Sequence, residues 1–528
     1  MTHRVLVADD LSAEGVEILR KAGLQVDVRV GLKPEELEAA VGDYDAIAVR
    51  SATKITAKVL EKASRLRVVG RAGVGVDNVD LEAATRRGVV VMNTPGGSSV
   101  TVAELAVAMM LALSRHIAQA TASIKSGKWE KKRFQGHELS GKTLGVVGIG
   151  NIGSVVVDRA RAMKMHVVAF DPFVSEEAAA KMGVELVALD QVWKRADVIS
   201  LHVPFTEKTR NVVNAATLAQ MKKGVLIVNC ARGGLVDEKA LADALSTGQV
   251  AGAALDVFEK EPVAPENPLL KLDNFICTPH LGASTEEAQA AVAVAIAEQL
   301  AAFLTRGEVK NAVNVPSMSR ESMERFGPYL ELAGKLGSLV AQIAPSGVRE
   351  VRVSYAGDVA DAPPRPLTAA VLKGLLSHVE ARPVNEVSAP GIARERGITV
   401  REEQVAGQQD YASLVTVAVA GQGGEAVVAG TLFGRRDARI VRVNQFRLEA
   451  VPEGNIILCV NDDTPGVVGN IGTALGAAGV NIARISLSRD EAGAAAVSLI
   501  NVDSDPAPEV LAVLRAIPHV RDVRRIRL

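Results

Sequence analysis

The segment Lys142-Thr-Leu-Gly-Val-Val-Gly-Ile-Gly-Asn-Ile-Gly153 limits what this chain can become more than any other. Thr143 to Val147 form a short apolar run of strand length, and from Asn151 onward Ile152, Val155, Val156, Ala160 and Met163 recur at helical spacing. Gly148, Gly150 and Gly153 join the two runs and fit G-x-G-x-x-G: a tight turn, room for a pyrophosphate, and close helix–strand packing. The start of the helix, at Asn151 and Ile152, would face the phosphates with free N–H groups. A second apolar run, His166 to Phe170, ends at Asp171, eighteen residues past the last glycine, where an acid can bond the adenosine ribose hydroxyls. Strand, turn, helix, strand and acid in this order predict a dinucleotide-binding unit.

A chain of 528 residues is too long for one ordinary core. Its net charge of −1 gives no general attraction to nucleic acid or to an anionic membrane, so an anion site must be a local cluster. Three separated cysteines, Cys230, Cys277 and Cys459, make neither a disulfide framework nor a metal site, and they fit a reducing cytoplasm. The N-terminus reaches Asp9 and Asp10 too soon for a signal sequence. The most apolar helices expected, Val102 to Leu113 and Ala288 to Leu304, contain Glu104 and Glu298 and read as too short to span a bilayer. The expectation is a soluble protein with no nucleic-acid or membrane partner and no bound metal.

Residues 1 to 97 alternate strand and helix, which predicts a parallel sheet with ligands beyond the carboxyl ends of its strands. Arg50-Ser51 and Arg71 lie at such ends, and Arg71 opens a loop through Gly73, Val74 and Gly75, so this region reads as an anion site. The dinucleotide unit runs over 98–283 as a doubly wound sheet. The helix Glu286 to Leu304 has no strand partner there, so residues 284–315 are expected to pack back on the first domain. Residues 317–452 read as one helical stretch (Leu330 to Ile343) followed by glycine-rich strands. Their basic cluster Arg435, Arg436, Arg439 and Arg442 is either a solvated face or a regulatory anion site. Residues 453–528 have β-α-β-β-α-β order, giving one antiparallel sheet with helices on one face.

Three residues stand at successive strand or loop ends of the dinucleotide unit: Arg232, Glu261 and His280. A histidine can take a hydroxyl proton, an adjacent carboxylate can raise its pKa and set its tautomer, and an arginine can grip a carboxylate. Oxidation of a 2-hydroxy acid requires these three functions. Singly, each has a structural alternative: His280 capping the next helix, Glu261 as a surface acid before proline, Arg232 as a turn arginine.

The glycine fingerprint with Asp171, Asn229-Cys-Ala-Arg-Gly-Gly234, Leu255-Asp-Val-Phe-Glu-Lys-Glu-Pro262 and Thr278-Pro-His-Leu-Gly-Ala283 together resemble the D-2-hydroxyacid dehydrogenases. Within them the chain is similar to the long form that oxidises D-3-phosphoglycerate and ends in an intervening domain and an ACT domain. The resemblance implies an α/β architecture: a Rossmann-type NAD domain, a discontinuous flavodoxin-like substrate domain, an α+β intervening domain and the ACT domain. It implies NAD as cofactor, held by the glycine turn, Asp171, Cys230, Ala231, Arg232, Asp256 at the nicotinamide amide, His280, Gly282 and Ala283. Arg232 would orient the substrate carboxylate, His280 would be the acid/base and Glu261 its partner. The backbone of Gly73, Val74 and Gly75 would bind the carboxylate, with Arg50 and Ser51 near the phosphate. Arg71 is added on charge grounds alone.

The implied effector is serine, bound where Asp463-Thr-Pro-Gly466 opens a helix and where Asn481 begins the next strand; Asp463 as a helix cap, with Pro465 in the first turn, is the alternative. A homo-oligomer, dimer or tetramer, is expected, with Trp129 as an interface anchor. Rival readings are a dehydrogenase of glycerate, lactate or formate, and a nicotinamide-sensing corepressor or scaffold.

Overall fold

The computed structural model describes residues 2–315, 318, 320–380, 384–405, 410–489 and 494–528, and these residues form four sheets in succession. The first contains β1 (Arg4–Val7), β2 (Gln25–Val28), β3 (Ala46–Val49), β4 (Val68–Arg71) and β5 (Val90–Met92), all parallel in the order β2-β1-β3-β4-β5. That order is the flavodoxin-like one. Ala46-Ile-Ala-Val49 is buried at every position because helices cover both faces of the sheet.

The second sheet contains β6 (Thr143–Val147), β7 (His166–Phe170), β8 (Glu185–Leu186), β9 (Val198–Leu201), β10 (Val225–Asn229), β11 (Val250–Leu255) and β12 (Phe275–Cys277). Its order is β12-β11-β10-β9-β6-β7-β8, all parallel. β6 lies between β7 and β9, so the winding reverses there and a crevice opens past their carboxyl ends.

The helix Glu286–Arg306 returns to the first sheet, where Val292, Ala293, Ile296 and Leu300 share a core with Val5, Val7, Ala46 and Val68. Its 21 residues correct the expectation of a helix too short to span a bilayer: by length and composition alone it is long and apolar enough. Of its most apolar window 61% is buried against protein, which accounts for the composition.

The third sheet contains β13 (Glu350–Gly357), β14 (Thr399–Val405), β15 (Ser413–Gly421), β16 (Gly424–Phe433), β17 (Asp437–Val443) and β18 (Phe446–Ala450), in the order β14-β13-β15-β16-β17-β18. Here the single expected helix is corrected to three among the described residues: Arg320–Ile343, Pro364–Leu376 and Ala389–Glu395. The prolines at 363, 364 and 366 look like a helix break in sequence, yet proline is tolerated in a first turn whose N–H groups have no helical partner.

The fourth sheet contains β19 (Asn455–Asp462), β20 (Ile482–Arg489), β21 (Ala495–Val502) and β22 (Val520–Arg527), antiparallel in the order β20-β21-β19-β22. One face packs on Ile471, Leu475, Leu511 and Leu514 of its own helices. The other face, through Ile456, Leu458, Val497, Leu499 and Ile526, joins the core of the third sheet.

Candidate active site

The three glycines of the turn occupy three different environments. Gly148 has φ 91°, and a Cβ there would lie 2.7 Å from the His202 carbonyl oxygen; a Cβ on Gly153 would lie 2.1 Å from the Gly148 carbonyl oxygen. A Cβ on Gly150 would meet nothing within 4 Å, so open space lies in front of it, ahead of the helix Asn151–Ala162. A bare glycine backbone beside a twelve-residue helix N-terminus fits a dinucleotide pyrophosphate. Asp171 braces this turn, its oxygens accepting from the N–H groups of Ile149 at 3.0 Å and Phe173 at 2.9 Å.

Past the crevice, a cleft of about 270 Å³ is lined by residues of both parallel sheets, among them Arg71, Val74 and Gly75 from the first and Asn151, Ile152, Cys230, Ala231, Arg232, Asp256, His280, Gly282 and Ala283 from the second. The turn glycines, Asp171, Arg50, Ser51 and Gly73 lie outside this lining, and Glu261 lines the cavity on the far side of His280. Arg50 is held at the end of β3, where its Nη1 lies 3.3 Å from the Asp10 carbonyl oxygen.

His280 carries the left-handed backbone (φ 55°) at the end of Cys277-Thr-Pro-His280. Its Nδ1 stands 2.7 Å from Glu261 Oε2, while the other Glu261 oxygen accepts from the Phe258 N–H at 3.0 Å. The bond to Glu261 is the main cause of a raised His280 pKa; burial and Arg232 act against it. Burial pushes the Glu261 carboxyl up, but the bonds from His280 and Phe258 outweigh it and hold the group below its ordinary value. Asp256, fully buried, accepts from Thr278 Oγ1 at 2.5 Å and from the N–H groups of Leu281 at 2.7 Å and Gly282 at 2.8 Å, which fixes the loop carrying His280. His280 does not cap the next helix: Thr285 does, accepting from the Ala288 N–H.

Two guanidinium groups approach the same cleft. Arg232 pairs with Asp77 at 2.9 Å, and its Nη1 donates to the Ala231 carbonyl at 2.6 Å. Burial and the charge of Arg232 push Arg71 down to about 10, still protonated at neutral pH, and its buried Nε has no partner among the described residues. A Cβ on Gly73 or Gly75 would fall on the Arg71 or the Arg232 guanidinium, so both glycines make room for cations. Cys230 also lines the cleft, where burial pushes its thiol well above the ordinary value and disfavours the thiolate.

Sequence reading missed His202, Ser98, Ser99 and Asp77, which also line the cleft. Burial pushes His202 down to about 4, its Nε2 lies 2.8 Å from Ser200 Oγ, and neither its Nδ1 nor Ser99 Oγ has a partner among the described residues. The position of His202 directly after β9, the neighbour of the glycine-turn strand, was the available signal. Among the described residues no group of three or more His, Cys, Asp or Glu is placed to hold a metal.

Residues 107–282 match the NAD binding domain of D-isomer specific 2-hydroxyacid dehydrogenases, 325–444 the D-3-phosphoglycerate dehydrogenase intervening domain, and 454–519 the ACT domain. The D-3-phosphoglycerate dehydrogenase of Archaeoglobus fulgidus is 45% identical over 527 residues, which span 99% of this chain and 100% of that one. The chain belongs to the D-3-phosphoglycerate dehydrogenases. The Bacillus subtilis enzyme of that name is 41% identical over 525 residues, 99% of each chain. Among solved structures, D-lactate dehydrogenase from Aquifex aeolicus, complexed with NAD and lactic acid, is 29% identical with a TM-score of 0.53, covering 60% of this chain and 100% of its own.

In the ACT unit, the helix after Asp463 begins only at Val467, behind Gly466 with φ 93°. Asp463 is therefore not its cap, and Pro465 precedes the helix instead of lying in its first turn. The left-handed Gly466 delays the start. The Asp463 carboxylate faces Arg489 at 3.1 Å, and Asn481 Nδ2 donates to Asp503 at 2.7 Å. In the intervening unit Arg439 pairs with Asp437 and Arg442 Nε donates to the Asn444 carbonyl, which favours the solvated-face reading of that basic cluster.

Proposed function

We propose that the chain oxidises D-3-phosphoglycerate to 3-phosphohydroxypyruvate, the first step toward L-serine, in the cytoplasm and as a homo-oligomer. The observation that carries the reading is the convergence of Arg71 and Arg232 on a cleft lined by His280, whose Nδ1 is bonded to Glu261 behind it. In this reading residues 1–97 with 284–315 bind substrate, 98–283 bind NAD, and 317–452 and 453–528 regulate. The exposed Trp129 anchors the contact between subunits.

Bound along the glycine turn, NAD supplies the hydride acceptor. Arg232, with the amides of Gly73, Val74 and Gly75, holds the substrate carboxylate, and Arg71 adds a second charge to that grip. Arg50 and Ser51 reach the phosphate at the rim. Glu261 occupies Nδ1 of His280, so the other ring nitrogen, Nε2, takes the C2 hydroxyl proton. Asp171 offers its remaining lone pairs to the ribose hydroxyls, and Asp256 keeps the His280 loop in place while meeting the nicotinamide amide.

The base must be neutral for oxidation, so the rate rises as pH climbs through the raised His280 pKa, above the ordinary value of about 6.5. Glu261→Gln removes the main cause of that shift and moves the acidic limb of kcat/KM to lower pH. In the reverse reduction, which needs the imidazolium, the alkaline limb moves down as well. Limbs unmoved in Glu261→Gln would show that this carboxylate does not set the titration.

Arg50→Ala is expected to weaken phosphoglycerate about tenfold to a hundredfold while changing unphosphorylated glycerate little, since a charge-assisted contact contributes ~1.5–3 kcal/mol. Equal losses of kcat/KM for both substrates would remove Arg50 from the phosphate site.

Serine is the proposed effector, its ammonium taken by Asp463 and Asn481 and its carboxylate by the amides at the Val467 helix. The inner face of the ACT sheet shares a core with the third sheet, so point variants test this better than truncation. Asn481→Ala should keep full turnover and lose most inhibition by serine; inhibition curves identical to wild type would count against the site.

A further inference from the structure

We propose a second ligand site, for a small organic phosphate, between the first sheet and the helices of the third unit. A cavity of about 850 Å³ there is lined by Arg65, Arg67, Arg86, Arg87 and Lys373, with Glu386 as the one acid among the described residues that line it. Arg65 and Arg67 precede β4, and Arg86 and Arg87 precede β5, so these cations gather at the amino ends of the strands. The catalytic cleft, with Arg71 and the Gly73–Gly75 loop, lies at the carboxyl ends. A four-residue strand, roughly 13 Å long, separates the two sites, so a small ligand cannot occupy both.

The charges do not cancel. Arg65 is paired with Asp45 at 3.3 Å, Arg86 with Glu82 at 2.8 Å, and Lys373 with Glu386 at 2.8 Å. Among the described residues Arg67 and Arg87 have no carboxylate partner: the Arg67 guanidinium lies 5.3 Å from the centroid of the Phe303 ring, and Arg87 Nη2 lies 3.5 Å from the Ala63 carbonyl oxygen. In a chain of net charge −1, two uncompensated guanidinium groups facing one cavity are a local feature suited to a dianion. Their planar forks match phosphate oxygens.

Leu66, Val90, Phe303, Leu330 and Pro366 supply apolar wall, and the volume is that of an organic-ligand pocket, well beyond the size of an inorganic ion. A phosphate ester with a carbon body therefore fits better than free phosphate. The site is shared between units: the arginines come from the first sheet, while Lys373, Leu330 and Pro366 come from the helices Arg320–Ile343 and Pro364–Leu376. Asn385 Nδ2 bridges the same junction, donating to the Gly88 carbonyl at 2.7 Å. The helix Arg320–Ile343 also holds the last strand, since Gln342 exchanges two hydrogen bonds with the Arg527 backbone. A ligand here would tie the substrate-binding sheet to the regulatory half of the chain.

Titration calorimetry of the intact protein with phenyl phosphate tests this. The wild type should show a binding event that weakens about tenfold or more in R67A/R87A, because each arginine contributes a charge-assisted contact. Both side chains are exposed, so the double variant should keep its melting temperature and its turnover with NAD. Lys373→Ala, on the facing wall, should weaken the same event severalfold. Isotherms for both variants identical to wild type, or no binding to the wild type at all, would overturn the proposal.

Discussion

His280→Ala is expected to lower kcat by about 10²–10⁴, the usual contribution of a positioned acid/base, while the affinity for NAD stays within a few fold of wild type. The separation follows from the geometry. His280 hangs from the loop that Asp256 braces, and the glycine turn is built by a different strand and held by Asp171. NAD binding followed by protein fluorescence, alongside steady-state turnover, measures the two effects independently. Because His280 is half exposed, its removal leaves no buried void, so the fold should persist. Turnover near wild type in this variant would take the proton-transfer role away from His280.

Arg232→Ala should differ in kind. Its guanidinium is the cleft cation fixed by Asp77, and removing it deletes a two-pronged grip on a carboxylate. A loss of ~1.5–3 kcal/mol corresponds to about tenfold to a hundredfold in kcat/KM, with a rise in KM that His280→Ala should not show. The variant also changes the neighbours. Asp77 loses its partner, Arg71 loses the repulsion that lowers its pKa, and Glu261 loses one of the charges that stabilise its ionised form. Arg232→Lys, which keeps charge without the planar fork, should recover only part of the loss. If KM for the hydroxy acid is unchanged in Arg232→Ala, the carboxylate is gripped elsewhere, and Arg71 becomes the first candidate.

The parts of this molecule legible in its sequence are those whose physical requirement is local. Gly148, Gly150 and Gly153 announce the turn because, within six residues, a tight turn and a close helix exclude side chains at Gly148 and Gly153 while Gly150 leaves an open face between them. Arg232, Glu261 and His280 are visible because parallel strands deliver the loops that follow them to one edge of the sheet. What is not legible depends on residues far apart. That Arg71 lines the cleft while Arg50 stays outside its lining follows from how two sheets face each other, and no local pattern encodes it. His202 gives little sign in sequence because its role depends on a strand neighbour more than fifty residues away. The helix Pro364–Leu376 is hidden by its own prolines, and the late start of the ACT helix depends on the backbone angle at a single glycine.

A cleft that oxidises a phosphorylated 2-hydroxy acid with NAD must discriminate by the phosphate. The most direct test is NADH formation by the purified wild-type protein supplied with NAD and, in parallel, D-3-phosphoglycerate, D-glycerate, D-lactate or formate. The account predicts sustained turnover with D-3-phosphoglycerate and a kcat/KM at least about tenfold lower for D-glycerate, the same acid without the phosphate contact. Turnover of glycerate, lactate or formate in preference to phosphoglycerate would contradict it, as would NAD binding with no turnover of any of the four.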